Sequence, residues 1–258
     1  MGTKQKQHVG RPPRDNLVRA MPGGFELRAS TEPDGMPTLV GHFIRWGEWA
    51  EIDSIFEGRF LERFERGALT KTFNENRASM RVTFQHGRDP HLGDKVLGPI
   101  DELEEDSVGA RYAVPLFDTA YNREILPGLE AGVYGASFRF RSMREEFEDK
   151  PGVSAFNPEG IPQRTVKEAM VPEFGPVTFP AYAGSTAGVR SMTDEFVFGS
   201  FTAEPERLVE LIEHIRATRS DDPPQDPAPS DAGQPPTSER RVPLFGQGDD
   251  KEAPEWLL

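Results

Sequence analysis

Histidine is scarce in this 258-residue chain, which has only His8, His42, His86, His91 and His214. An imidazole titrates near neutrality, so it is the side chain best suited to pass a proton to and from a reacting group. Two of the five lie close together in Gln85-His86-Gly87-Arg88-Asp89-Pro90-His91-Leu92-Gly93, a turn-rich stretch after a strand-like run. His86, Asp89 and His91 can also be read as metal ligands, although no further His or Cys cluster completes a set. The chain has no cysteine, which removes thiol nucleophiles, disulfides and thiolate metal sites. Nucleotide-cradling and HExxH patterns are absent. So is a GxSxG elbow: Gly135-Ala136-Ser137-Phe138-Arg139 lacks the second glycine, and Gly184-Ser185-Thr186-Ala187-Gly188 has its serine one place early.

The elements that must position such groups are mostly short strands. Residues 25–29 and 38–46 are β-favouring runs separated by Glu32-Pro33-Asp34-Gly35, a turn signal. Residues 52–64 fit one or two strands, 81–85 another that ends at His86, and 96–103 and 110–116 two more. Residues 133–141 alternate, with Val133, Gly135, Ser137, Arg139 and Arg141 on one face and Tyr134, Ala136, Phe138 and Phe140 on the other. Residues 145–163 read as a loop, and 165–171 and 176–179 as closing strands. Helices are few. One is short, at 68–75, and one covers 119–130, where Asp118 or Thr119 can cap. The clearest is 204–219, with Leu208, Val209, Leu211, Ile212 and Ile215 in one apolar stripe. This pattern predicts a mainly β fold with a few helices, a barrel or a sandwich.

Charge divides the chain further. The formal net charge is −13; residues 203–258 hold 13 acids and 6 bases, while residues 1–20 hold five bases and one acid, Asp15. An acidic protein gains little from phosphates, which argues against a nucleic-acid partner. No apolar run approaches the ~20 residues of a membrane span, and the N-terminus lacks a signal peptide's apolar stretch. The chain reads as soluble and cytoplasmic, with no membrane partner. Its organisation reads as a flexible basic arm (1–24), a domain (25–200), an amphipathic helix (201–219) and a disordered, acidic, Pro-rich tail (220–258). The tail ends in the apolar Trp256-Leu257-Leu258 and reads as a tether with a docking end.

Four segments in order resemble one family. They are Glu65-Arg66-Gly67-Ala68-Leu69; Val82-Thr83-Phe84-Gln85-His86 with Leu92-Gly93 downstream; Leu129 to Phe140, containing Gly135-Ala136-Ser137; and Glu173-Phe174-Gly175-Pro176-Val177-Thr178-Phe179-Pro180-Ala181-Tyr182. Spread over residues ~38–190, they resemble the prohead serine protease family of HK97-like tailed phages. Two positions depart from the pattern: Gly175 stands where the family often has Ser, and Arg139 where it often has Gly.

The resemblance implies a β-barrel similar to herpesvirus assembly proteases, with a C-terminal helix and tail appended, and makes 25–200 the protease domain. It implies Ser137 as nucleophile, His86 as general base and Glu173 as the third member, with no cofactor and no metal. His91 remains an additional histidine, and Asp89 or Glu168 could orient a histidine instead of Glu173. The implied activity is a serine endopeptidase that cleaves the major capsid protein and scaffold protein, and itself, inside the assembling prohead in the host cytoplasm. A homo-oligomer is left open. The rival reading is a noncatalytic scaffold built on the same barrel.

Overall fold

A computed structural model of the chain describes residues 11–22, 24–178, 190–201 and 205–219. Among these residues the strands form two sheets. One has the order β11-β1-β9-β10-β5-β4, built from β1 (Leu17–Pro22), β4 (Ala50–Ser54), β5 (Gly58–Phe64), β9 (Tyr134–Glu148), β10 (Gln163–Thr178) and β11 (Arg190–Ser191), with β6 (Arg81–Val82) paired to β10. The other has the order β2-β3-β8-β7, from β2 (Phe25–Arg28), β3 (Thr38–Arg45), β7 (Glu102–Glu105) and β8 (Gly109–Pro115). The helices are α1 (Thr70–Asn76), α2 (Ala120–Glu130), α3 (Thr193–Ser200) and α4 (Pro205–Arg219).

The mainly β expectation holds, but among the described residues the ladders do not close into a barrel. The sheets meet at a single bridge, Trp46 with Phe64, and where the chain passes from β1 into β2. Gly24 makes that passage at φ 87°, and its carbonyl accepts from His42 N at 2.9 Å. A side chain is disfavoured in this left-handed region, which is why glycine stands there. Between the sheets lies an aromatic core. Phe43 stacks on Phe174 with ring centres 4.5 Å apart, and Phe138 packs against Phe43 and Phe64 at 5.6 and 5.5 Å. Each such ring contributes roughly 1.5–3 kcal/mol by leaving water.

Several sequence expectations change. Residues 17–22, read as part of a loose arm, form β1, which lies between β9 and β11 with Leu17 and Val18 fully buried and Ala20 nearly so. Covered on both faces, this strand has no apolar–polar alternation to betray it. The two closing strands are one 16-residue strand, β10, whose pairing with β9 shifts register between Met170 and Glu173. The loop of 145–163 is shorter, because β9 runs on to Glu148. The strand expected to carry His86 at its end stops at Val82; His86 sits in a 3₁₀ turn, Gln85–Gly87. Helix α3 was not foreseen. Helix α4 matches the expected one: Leu208, Leu211, Ile212 and Ile215 are half-buried and Val209 is exposed. Residues 1–10 of the arm and the tail 220–258 lie outside the described residues.

A charged cluster sits inside the fold where β1, β5 and β10 converge. Arg19 bonds Glu57 at 2.6 Å and Glu62 at 2.6 Å, and Arg164 bonds Glu62 at 2.5 Å and Glu57 at 3.3 Å. Arg19, Glu57 and Arg164 are fully buried and Glu62 almost so. Burial alone would push the Glu57 carboxyl up; the charges of Arg19 and Arg164 and the Ser191 hydroxyl outweigh it and hold the group down to about 2. A carboxyl whose folded value lies below its unfolded one stabilises the fold fully above the unfolded value, and that contribution fades as pH falls toward the folded value. The midpoint of urea unfolding should therefore be insensitive to Glu57 titration above its ordinary 4.5 and decline as pH drops from there to about 2. A flat midpoint across that window would contradict the cluster.

Candidate active site

Ser137 lies on β9 with no exposed surface. Its neighbours across the sheet are Gly175 on β10 and Ala20 on β1. His86 reaches it from the 3₁₀ turn, which Gly87 N and Arg88 N close through bonds to Phe84 O and Gln85 O at 2.9 and 3.0 Å. Gln85 and His86 both take positive φ, 52° and 55°. Two non-glycine residues in the left-handed region cost on the order of 1–3 kcal/mol each and persist only where surrounding contacts hold them. One such contact is Gln85 Nε2 to Thr178 Oγ1 at 2.6 Å. Glu173 projects from β10 at its register shift, opposite Arg139 on β9 and Arg81 on β6.

These three side chains converge although they are far apart in the chain. His86 Nε2 is 2.7 Å from Ser137 Oγ, and His86 Nδ1 is 2.5 Å from Glu173 Oε1. A carboxylate only accepts, so Nδ1–H donates to Glu173 and Nε2 is left to accept from the serine hydroxyl. The second oxygen of Glu173 accepts from Thr83 Oγ1 at 2.8 Å. His86 and Glu173 side chains are only 7% and 9% exposed, so water competes little for these bonds. A hydroxyl bonded to an imidazole that is itself bonded to a carboxylate is the arrangement nucleophilic acyl transfer requires.

The other candidates go elsewhere. The His91 side chain is exposed, and its backbone N donates to Asp89 Oδ1 at 2.9 Å. Asp89 also accepts from Leu92 N at 2.8 Å, so its carboxylate closes the loop and does not orient His86. Both ring nitrogens of His86 are engaged within the triad, which leaves His86, Asp89 and His91 unassembled as a ligand set. Among the described residues no group of three or more His, Asp or Glu side chains is spaced to hold a metal ion. Glu168 pairs with Lys71 at 3.4 Å and is not at the site. His42 pairs with Asp106 at 2.8 Å, and His214 is exposed on α4. His8 lies outside the described residues.

Sequence reasoning missed Thr83, the hydroxyl behind Glu173. Its signal was a polar residue placed between apolar Val82 and Phe84. It also missed α3, which brings Phe196 to 6.0 Å from the His86 ring, edge to face. The Arg88 guanidinium lies 3.5 Å over Phe196, and that of Arg139 lies 5.4 Å from it. Burial, then the charge of Arg139, lowers Arg88 below the ordinary guanidinium value. A cavity of about 330 Å³ opens beside His86, bounded by Val18, Arg88, Glu195, Phe196 and Gly199.

The structure also explains Gly175. A Cβ there would lie 1.9 Å from the Thr83 carbonyl oxygen, because β6 crowds β10 at this point. Gly175→Ala should destabilise the fold by about 3 kcal/mol or more, since overpacking a closed backbone contact forces strands apart. Chemical denaturation measures this, and a loss under 1 kcal/mol would mean that β6 moves freely.

The family model described as caudovirus prohead serine protease matches residues 24–196. The chain belongs to that family. It is therefore a protease of phage capsid maturation. No curated protein matches. Among solved structures, that of the bacteriophage T4 capsid assembly protease aligns over 66% of this chain and 100% of its own, at 13% identity and a TM-score of 0.41, a distance at which no residue role transfers. The family span covers Ser137, His86 and Glu173 and leaves β1 and α4 outside it. No described helix of the protease is long and apolar enough to cross a membrane.

Proposed function

We propose that this prohead protease is a serine endopeptidase in which Ser137 is the nucleophile, His86 the general base and Glu173 the orienting carboxylate. The observation that carries the reading is the unbroken chain of contacts from Ser137 through His86 to Glu173, at 2.7 and 2.5 Å, continued to Thr83 at 2.8 Å. In the forward step Ser137 Oγ adds to a peptide carbonyl carbon while its proton passes to His86 Nε2. His86 then gives that proton to the departing amine, and water repeats the sequence to release the acyl group. Glu173 stabilises the imidazolium and fixes the tautomer; Thr83 fixes Glu173.

The substrates are the major capsid protein, the scaffold protein and the protease itself, cleaved inside the assembling prohead in the host cytoplasm. Coexpression with the phage's major capsid protein tests this. Shortening of the capsid protein by the wild-type chain, and none by a folded Ser137→Ala chain, is expected. Shortening that persists in the variant refutes the assignment. A noncatalytic scaffold would have no use for three convergent groups buried together.

A further inference from the structure

We propose that β1 occupies the place of a peptide substrate, so that the intact chain carries its own blocking strand against Ser137. The same edge of β9 then receives peptides in which a basic residue precedes the bond presented to Ser137. This rests on the serine-protease reading of Ser137 and adds its regulation and substrate class.

The first observation is the pairing. An extended peptide commonly binds by adding a strand to a sheet edge, where main-chain bonds hold it and alternate side chains are read by pockets. At Ser137, β9 has two edges. One holds β10, which supplies Glu173; the other holds β1, antiparallel, with Ala20 opposite Ser137 and Arg19 opposite Phe138. β1 contributes no side chain to the relay and lies outside the family span of 24–196. With both edges filled, no edge remains for another peptide, and Ser137 has no exposed surface to meet one.

The second observation is the contact at the nucleophile. Ser137 Oγ lies 2.9 Å from the Arg19 carbonyl oxygen as well as 2.7 Å from His86 Nε2. The hydroxyl has one hydrogen for two acceptors. While it donates to Arg19 O, it is not donating to His86. Val18 shows what holds the strand in place. Its N–H donates to Thr193 Oγ1 at 3.0 Å and its carbonyl accepts from Met192 N at 3.0 Å. Successive residues of a strand face opposite neighbours, so the N–H and C=O of Arg19 face β9. The segment around α3 thus straps β1 onto the nucleophile.

The third observation concerns the side chain. Arg19, the residue whose carbonyl meets Ser137, is received by Glu57 and Glu62 with bonds of 2.6 Å to each. A bidentate carboxylate pair selects a guanidinium over neutral side chains.

The test labels Ser137 of the full chain with a fluorophosphonate and compares wild type with Ala20→Glu. A carboxylate opposite Ser137 at a site now 1% exposed disfavours the β1 pairing. Ala20→Glu, shown folded by circular dichroism, should label at least tenfold faster. A peptide copying residues 14–22 should slow its labelling, and the same peptide carrying Arg19→Glu should not. In parallel, amide hydrogen exchange of the wild type should open Val18 to Met21 before β9 and β10. Equal labelling of the folded variant, or β1 exchange only together with the rest of its sheet, overturns the proposal; so does failure of the Arg19 peptide to protect. Should Ala20→Glu not fold, hydrogen exchange decides. Failure to label Ser137 in any form sinks the serine-protease reading itself, a separate result.

Discussion

Removing the Ser137 hydroxyl should abolish peptide-bond cleavage while leaving the fold in place. In serine proteases the nucleophile and base act as one unit, and loss of either costs about 10⁶ in turnover. Ser137→Ala deletes one atom from a side chain that is fully buried between β1 and β10, so it opens almost no space. His86 Nε2 loses a partner, a stability cost of about 1–3 kcal/mol. The Arg19 carbonyl loses the same hydroxyl but faces the β9 ladder. The measurement is capsid-protein shortening on coexpression, with thermal unfolding as the control for the fold. Residual cleavage within a hundredfold of wild type would move the nucleophile to another residue.

How far the sequence discloses this arrangement depends on what each residue is asked to do. Ser137 alternates with Ala136 and Phe138, a pattern that follows from one strand facing two environments, so β9 was legible. A cap at Asp118 or Thr119 was legible because both precede an apolar helical spacing, and the structure makes it Thr119, whose hydroxyl accepts from Asn122 N at 3.4 Å. β1 was not, since Arg19 interrupts its apolar run and is neutralised by Glu57 and Glu62, residues ~40 positions away. Local pattern cannot see a partner at that distance. The triad members were reached through resemblance to a family and not through spacing, because Ser137, His86 and Glu173 come together only when β9, β10 and the turn after β6 are assembled. The turn itself was misread as the end of a strand. Its positive φ angles at Gln85 and His86 are imposed by tertiary contacts, and no residue type there announces them.

That turn sets the terms of the second large effect, the ranking of the two neighbouring histidines. His86 should be indispensable and His91 dispensable. His86 is held on both nitrogens, by Glu173 and Ser137, whereas the His91 side chain is exposed in a loop closed by Asp89. Catalytic groups need placement to within a fraction of an ångström, which only the first environment gives. The substitution must respect the backbone. Alanine at φ 55° would add strain to loss of the base, while asparagine tolerates the left-handed region and cannot take up the proton. His86→Asn is thus the cleaner test, with an expected loss of about 10⁴ to 10⁶ in the rate of Ser137-dependent cleavage. Glu173→Gln should lose about 10⁴, because an amide in place of the carboxylate favours the wrong imidazole tautomer. His91→Ala should stay within twofold of wild type. Rates are compared on the same capsid-derived peptide, in chains that all carry Ala20→Glu so that β1 does not block Ser137. If His91→Ala costs more than His86→Asn, the base is His91, and the loop that Asp89 closes must open to bring it to Ser137.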